Sequence, residues 1–118
     1  MPSRINQFMQ RYCDAWNQLN GQAIASHYTD RATIIDGDGD GQYSSDALLV
    51  KFDSNCQQLA DMKFTSTEFE RCDINETTLT VDVLWVIEFQ EKSINFGMTY
   101  QLCHEKNNLK IEHAALLK

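Results

Sequence analysis

A chain of 118 residues with 42% hydrophobic and 23% charged side chains is sized for one core and composed like an ordinary globular protein. Its formal net charge of −7, from 17 acidic and 10 basic residues, argues against a nucleic-acid backbone or an anionic membrane surface as partner, because both need a basic face. One proline and five glycines leave little room for a long disordered segment, and no apolar run nears the ~20 residues that span a bilayer.

The start, "MPSRINQFMQRY", lacks the apolar stretch of a signal peptide. Cys13, Cys56, Cys72 and Cys103 are scattered and form no C-x-x-C pair, so reduced thiols and a cytoplasmic location are expected. With no linker or repeat, residues 1–118 are expected to be a single domain. Ser3 is placed to cap a first helix, with Ile5, Phe8, Tyr12, Trp16 and Leu19 on one stripe at spacings of three and four. Asn20-Gly21 should end it, Gly21 supplying a left-handed residue. A short second helix is expected over 22–28, then a strand over Ala32–Ile35. Ser45 can cap a third helix whose stripe is Leu48, Leu49, Phe52, Cys56 and Leu59.

Beyond Met62 the period changes from helical to alternating. "KFTSTEFERC", "TLTVDVLWVIEF", "SINFGMTYQLCH" and "LKIEHAALL" read as four strands. The inward sets are Leu79, Val81, Val83, Trp85, Ile87 and Phe89, then Ile94, Phe96, Met98, Tyr100 and Leu102, then Leu109, Ile111, His113, Ala115 and Leu117. Helices followed by an antiparallel meander mean an α+β fold with helices on one sheet face. Leu84, Val86 and Leu116 fall on the other face between Asp82, Glu88 and Glu112, so a second copy of the chain is the expected cover there.

The stretch "IIDGDGDGQYSSDA" admits three readings. Asp36, Asp38, Asp40 and Gly41 match the first half of a calcium loop, but the position of its bidentate acid is Ala47, and a strand precedes it where a helix should. It can equally be a glycine-rich turn with solvated aspartates. Or Asp36, at a strand end, can be a general base: a carboxylate facing an apolar cavity has its charged form disfavoured and abstracts protons better near neutral pH.

The order of these elements resembles the NTF2-like superfamily: nuclear transport factor 2, ketosteroid isomerase and the SnoaL-like polyketide cyclases. The residues that carry it are "FMQRYCDAWNQLNGQAIASHYTDRATIIDG", "SSDALLVKFDSNC" and "MTYQLCHEKNNLKIEHAALL". The resemblance implies a cone-shaped, cystatin-like fold with three N-terminal helices on a curved antiparallel sheet and an apolar pocket between them. It implies an isomerase or lyase in which Asp36 is the base and Tyr12 donates to the developing oxyanion, with His113 across the cavity. Trp16, Tyr28, Trp85, Met98 and Tyr100 would line that pocket. The pattern departs from ketosteroid isomerase where "FGMTYQLC" offers no acid and where Gly37 follows Asp36. The superfamily also contains binding and assembly modules, in which the same residues are core and turn. The expected ligand is a small apolar molecule carrying a carbonyl or hydroxyl. No cofactor or metal is expected, because Cys103, His104 and His113 lack a zinc spacing. His27 and His104 are expected to be peripheral.

Overall fold

In a computed structural model that describes residues 3–117, the Ser3 hydroxyl accepts from the Asn6 amide and opens helix α1 (Arg4–Asn17). Met1 and Pro2, part of the expected polar start, lie outside the described residues, as does Lys118. Helix α1 buries Ile5, Phe8, Met9 and Tyr12 along the expected stripe. Its left-handed exit residue is Leu19, at φ 51°, rather than Gly21. Gly21 instead begins helix α2 (Gly21–Ala25), where a Cβ would lie 2.1 Å from the Asp53 carboxylate oxygen. Close approach of two helices, not chain reversal, is what requires glycine there.

Strand β1 (Tyr28–Ile35) begins four residues before the expected start at Ala32. The glycine loop then leads into a short edge strand unseen in the sequence, β2 (Gly41–Ser44), antiparallel to β1. Helix α3 (Ser45–Asp61) is capped by Ser44 rather than Ser45, the Ser44 hydroxyl accepting from the Ala47 amide. Strands β3 (Phe64–Asn75), β4 (Thr80–Phe89), β5 (Ser93–Glu105) and β6 (Asn108–Leu116) complete the chain. The third helix therefore follows the first two strands. The fold is α+β with a six-stranded sheet of order β2-β1-β6-β5-β4-β3. It is not wholly antiparallel, since β1 runs parallel to β6.

Two local departures decide what the sheet presents. In α3, Leu49 is 37% exposed and Lys51 is buried, because the helix turns Leu48, Lys51, Phe52 and Cys56 inward. In β6, the β5 register jumps from Leu102↔Ile111 to Gln101↔His113, leaving Glu112 as an extra residue. Such a bulge shifts every later side chain to the other face. Leu109 and Ile111 are buried as expected, but beyond the bulge Ala114 takes the inner face in place of Ala115. Among the described residues no helix is long and apolar enough to cross a membrane.

Candidate functional site

Helices α1 and α3 leave a cavity of about 380 Å³ above the inner face of the sheet. The alternation of β4 and β5 delivers Trp85, Met98 and Tyr100 to its floor. Helix α1 contributes Tyr12 and Trp16 one turn apart, and β1 contributes Tyr28 from its first position. The wall is mostly apolar, with Ile34, Phe52, Leu59, Phe96 and Leu116 among its members. Polar groups gather at one side, where Asp36 and Asp38 meet Asn55 and Gln58 of α3.

Three phenols converge inside this apolar shell. The Tyr12 and Tyr28 hydroxyls lie 2.6 Å apart and share one hydrogen bond. The Trp85 indole N–H donates to the Tyr100 hydroxyl at 2.8 Å. The Tyr12 ring packs edge-on against Tyr28, Trp85 and Tyr100, with centroids 5.9, 6.1 and 5.7 Å away. Burial is the main cause that raises the pKa of all three phenols, and the nearby Asp36 charge adds to it in each case. For Tyr12, the hydrogen bond with Tyr28 offsets part of the rise. The phenols are therefore neutral at ordinary pH and keep their protons to donate. In the Tyr12–Tyr28 pair one hydroxyl donates and the receiver's own O–H is left for another acceptor.

Asp36 reaches the cavity lining, and its carboxylate has polar partners there. The Lys51 ammonium lies 3.1 Å from Asp36 Oδ2 and donates to the Asp38 carbonyl at 2.7 Å. Asp36 Oδ1 also accepts from the Asp38 amide, and Asp40 Oδ1 accepts from the amides of Asp36 and Gly37. The loop is an aspartate-capped turn whose Asp36 and Asp38 carboxylates both lie within ion-pair distance of the Lys51 ammonium. Gly37 and Gly39 supply its positive φ values of 85° and 76°. Lys51 was missed in the sequence, although its place three residues after Leu48 is a signal for the inner face. Lys51→Met should leave Asp36 without its partner. Breaking a fully buried pair costs about 3–5 kcal/mol. With the Asp36 side chain 26% exposed, a loss of about 1–3 kcal/mol is expected in urea unfolding. Adding Asp36→Asn should restore most of that loss. If Lys51→Met is neutral, the pair does not hold the loop.

His113 is not brought to the cavity. The bulge at Glu112 turns it to the outer face, paired with Thr33 and Gln101, while Ala114 and Leu116 take the inner positions. The same shift moves Leu116 from the outer face, where it was expected, into the cavity wall. His27 lies beyond the end of α2, which stops at Ala25 and not at the expected residue 28, and its ring packs edge-on against Tyr12, with centroids 5.4 Å apart. Asn55, Gln58 and Thr67 also line the cavity and carried no distinct signal in the sequence.

A family model described as Nuclear transport factor 2 (NTF2) domain matches residues 5–116. No curated protein matches the chain in sequence. Among solved structures it is similar to an NTF2-like protein of unknown function from Pseudomonas putida KT2440, with TM-score 0.80, 13% identity, and 98% of this chain and 84% of that one covered. An NTF-2 like protein of unknown function from Shewanella oneidensis MR-1 aligns with TM-score 0.70 and 14% identity, over 96% and 95% of the two chains. A protein of unknown function with a cystatin-like fold from Methylobium petroleophilum PM1 gives TM-score 0.72 and 8% identity, over 99% and 76%. At these identities the likeness is one of fold.

Proposed function

Because this chain belongs to the Nuclear transport factor 2 (NTF2) domain family, we propose that its cavity takes a small, mostly apolar molecule whose oxygen is met by the buried phenols. The observation that carries this is the Tyr12–Tyr28 pair beside Tyr100 in an apolar shell of about 380 Å³. That volume lies within the range of small-molecule sites. Neutral phenols in a dry wall donate to a carbonyl, hydroxyl or enolate oxygen more strongly than they would in water. With Asp36 at the lining as proton acceptor, the chemistry that fits is proton transfer next to a carbonyl, as in an isomerase or lyase.

The second reading is a ligand-binding module without turnover. What favours it is the Lys51 ammonium on the Asp36 carboxylate, which a substrate would have to displace or share. One titration tests the common premise. Naphthols serve as the probe, since they mimic an enolate oxygen on an apolar body and their fluorescence reports the ionised form. Saturable binding at micromolar concentration supports the cavity as a ligand site. No binding, together with no small molecule retained in native mass spectrometry of fresh protein, removes it.

The proposed assembly is a homodimer through the outer sheet face. Leu84 and Val86 stand there, with Ile35 and Leu117 at 44% and 45% exposure. Gly97 lies among them, and a Cβ on it would meet Leu117 at 3.1 Å, so the face is apolar and close-packed. Val86→Lys places a charge in that contact, where desolvation costs several kcal/mol. Light scattering should find wild type at twice the 13.6 kDa chain mass and the variant at that mass. A monomeric wild type overturns the assignment.

A further inference from the structure

A second cleft, of about 390 Å³, lies on the other side of α1, between that helix, the α2–β1 junction and β6. Its lining is cationic: Arg4 and Arg11 of α1 and Lys110 of β6, with Gln7, His27 and Asn108. Three of the chain's ten lysines and arginines thus meet in one concavity of a protein with net charge −7. No acidic residue lines it, and among the described residues none of the three cations has a carboxylate within ion-pair distance.

Two of the three cations are tied to backbone carbonyls. Arg4 Nη2 donates to the Asn107 carbonyl at 3.0 Å, which ties α1 to the β5–β6 turn. Lys110 Nζ donates to the Ser26 carbonyl at 2.5 Å, which ties β6 to the end of α2. Each contact uses one donor and leaves the others for a ligand. His27 Nδ1 lies 2.7 Å from the Ala23 carbonyl, so in the neutral ring it donates there and Nε2 is left open. Burial, then Arg11 and Lys110, depress the His27 pKa against the opposing pull of the Ala23 carbonyl. The charges of Arg11 and Lys110 therefore both act on the imidazole. The cleft also has a small apolar floor in the buried Phe8 and Leu109.

We propose that this cleft binds the phosphate group of a phosphorylated small molecule, with Arg4, Arg11 and Lys110 on its oxygens, Gln7 and Asn108 as further donors, and the organic part on Phe8 and Leu109. A dianion with three terminal oxygens can be shared among three cations that line one cleft, and the arginine fork suits phosphate geometry. The site is separate from the phenol cavity and independent of its function. The two share one wall, since the His27 ring packs edge-on on Tyr12 and on Phe8.

The test is calorimetric titration of the full chain with inorganic phosphate and with phenyl phosphate, beside sedimentation with phosphatidylcholine vesicles carrying phosphatidate. The first arm probes a soluble ligand and the second a lipid headgroup of the same chemistry. Saturable binding in either arm, accompanied by shifts of the His27 ring signals in NMR, is the expected result. The arm with the tighter binding identifies the source. Arg11→Gln and Lys110→Gln should each weaken it at least tenfold, while Arg11→Lys, which keeps the charge and loses the fork, should weaken it less than Arg11→Gln. Arg71→Gln, at an exposed arginine already paired with Asp73, should leave it unchanged. No saturable binding in both arms overturns the proposal. So does binding that Arg11→Gln leaves intact, or that Arg71→Gln weakens equally.

Discussion

Phe52→Ala is expected to lower the unfolding free energy by about 3–5 kcal/mol, the usual cost of removing a buried phenylalanine. Phe52 is 3% exposed on the inner face of α3. Its ring meets Trp16 edge-on at 5.7 Å and Tyr28 at 5.1 Å, so it joins the aromatic side chains that α1 and β1 bring to the wall. Truncation removes both contacts and merges the freed space with a cavity that is already there. The wall cannot close over it, because Trp16 and Tyr28 are anchored from α1 and β1. Urea unfolding measures the loss, and the same variant should admit a bulkier naphthol than wild type. A loss below about 1.5 kcal/mol would mean that Phe52 is poorly packed and that the cavity wall is softer than its geometry.

Tyr12→Phe is expected to weaken binding of an ionised naphthol by about 10- to 100-fold, since a hydrogen bond to a charged group contributes about 1.5–3 kcal/mol. The ring stays and its edge contacts survive, so stability should change little apart from the lost bond to Tyr28. Asp36→Asn should act in the opposite sense on this probe, because it removes a negative charge that opposes an anion near the phenols. On turnover of a true substrate the two changes should fall together: loss of the base costs about 10²–10⁴-fold, and loss of an oxyanion donor about 2.7–4 kcal/mol. The pair of variants therefore separates the two readings. Opposite effects on naphthol affinity with no turnover by wild type point to a binding module. Equal naphthol affinity in wild type and Tyr12→Phe takes the hydroxyl out of ligand recognition altogether.

Much of the fold was legible because its signals are local. The Ser3 cap, the Ile5–Phe8–Tyr12 stripe and the alternation of Val81, Val83 and Trp85 each depend on residues a few positions apart, and the chain's own helical or pleated period turns such spacings into faces. The resemblance carried by the first helix and the closing strands placed the family, and with it the expected positions of Tyr12 and Asp36. What tertiary structure alone decided lies where distant segments set one another. An extra residue opposite Leu102 sends His113 outward and Leu116 inward, and alternation gives no sign of it because a bulge is a property of two paired strands. The parallel pairing of β1 with β6 joins the two ends of the chain. The spacing of Lys51 from Leu48 marks the inner face, but its partner Asp36, fifteen residues earlier in the chain, is set only when α3 docks. The cationic cleft is likewise absent from any one stretch of an acidic sequence, because Arg4, Arg11 and Lys110 become neighbours only when α1 packs beside the last strand.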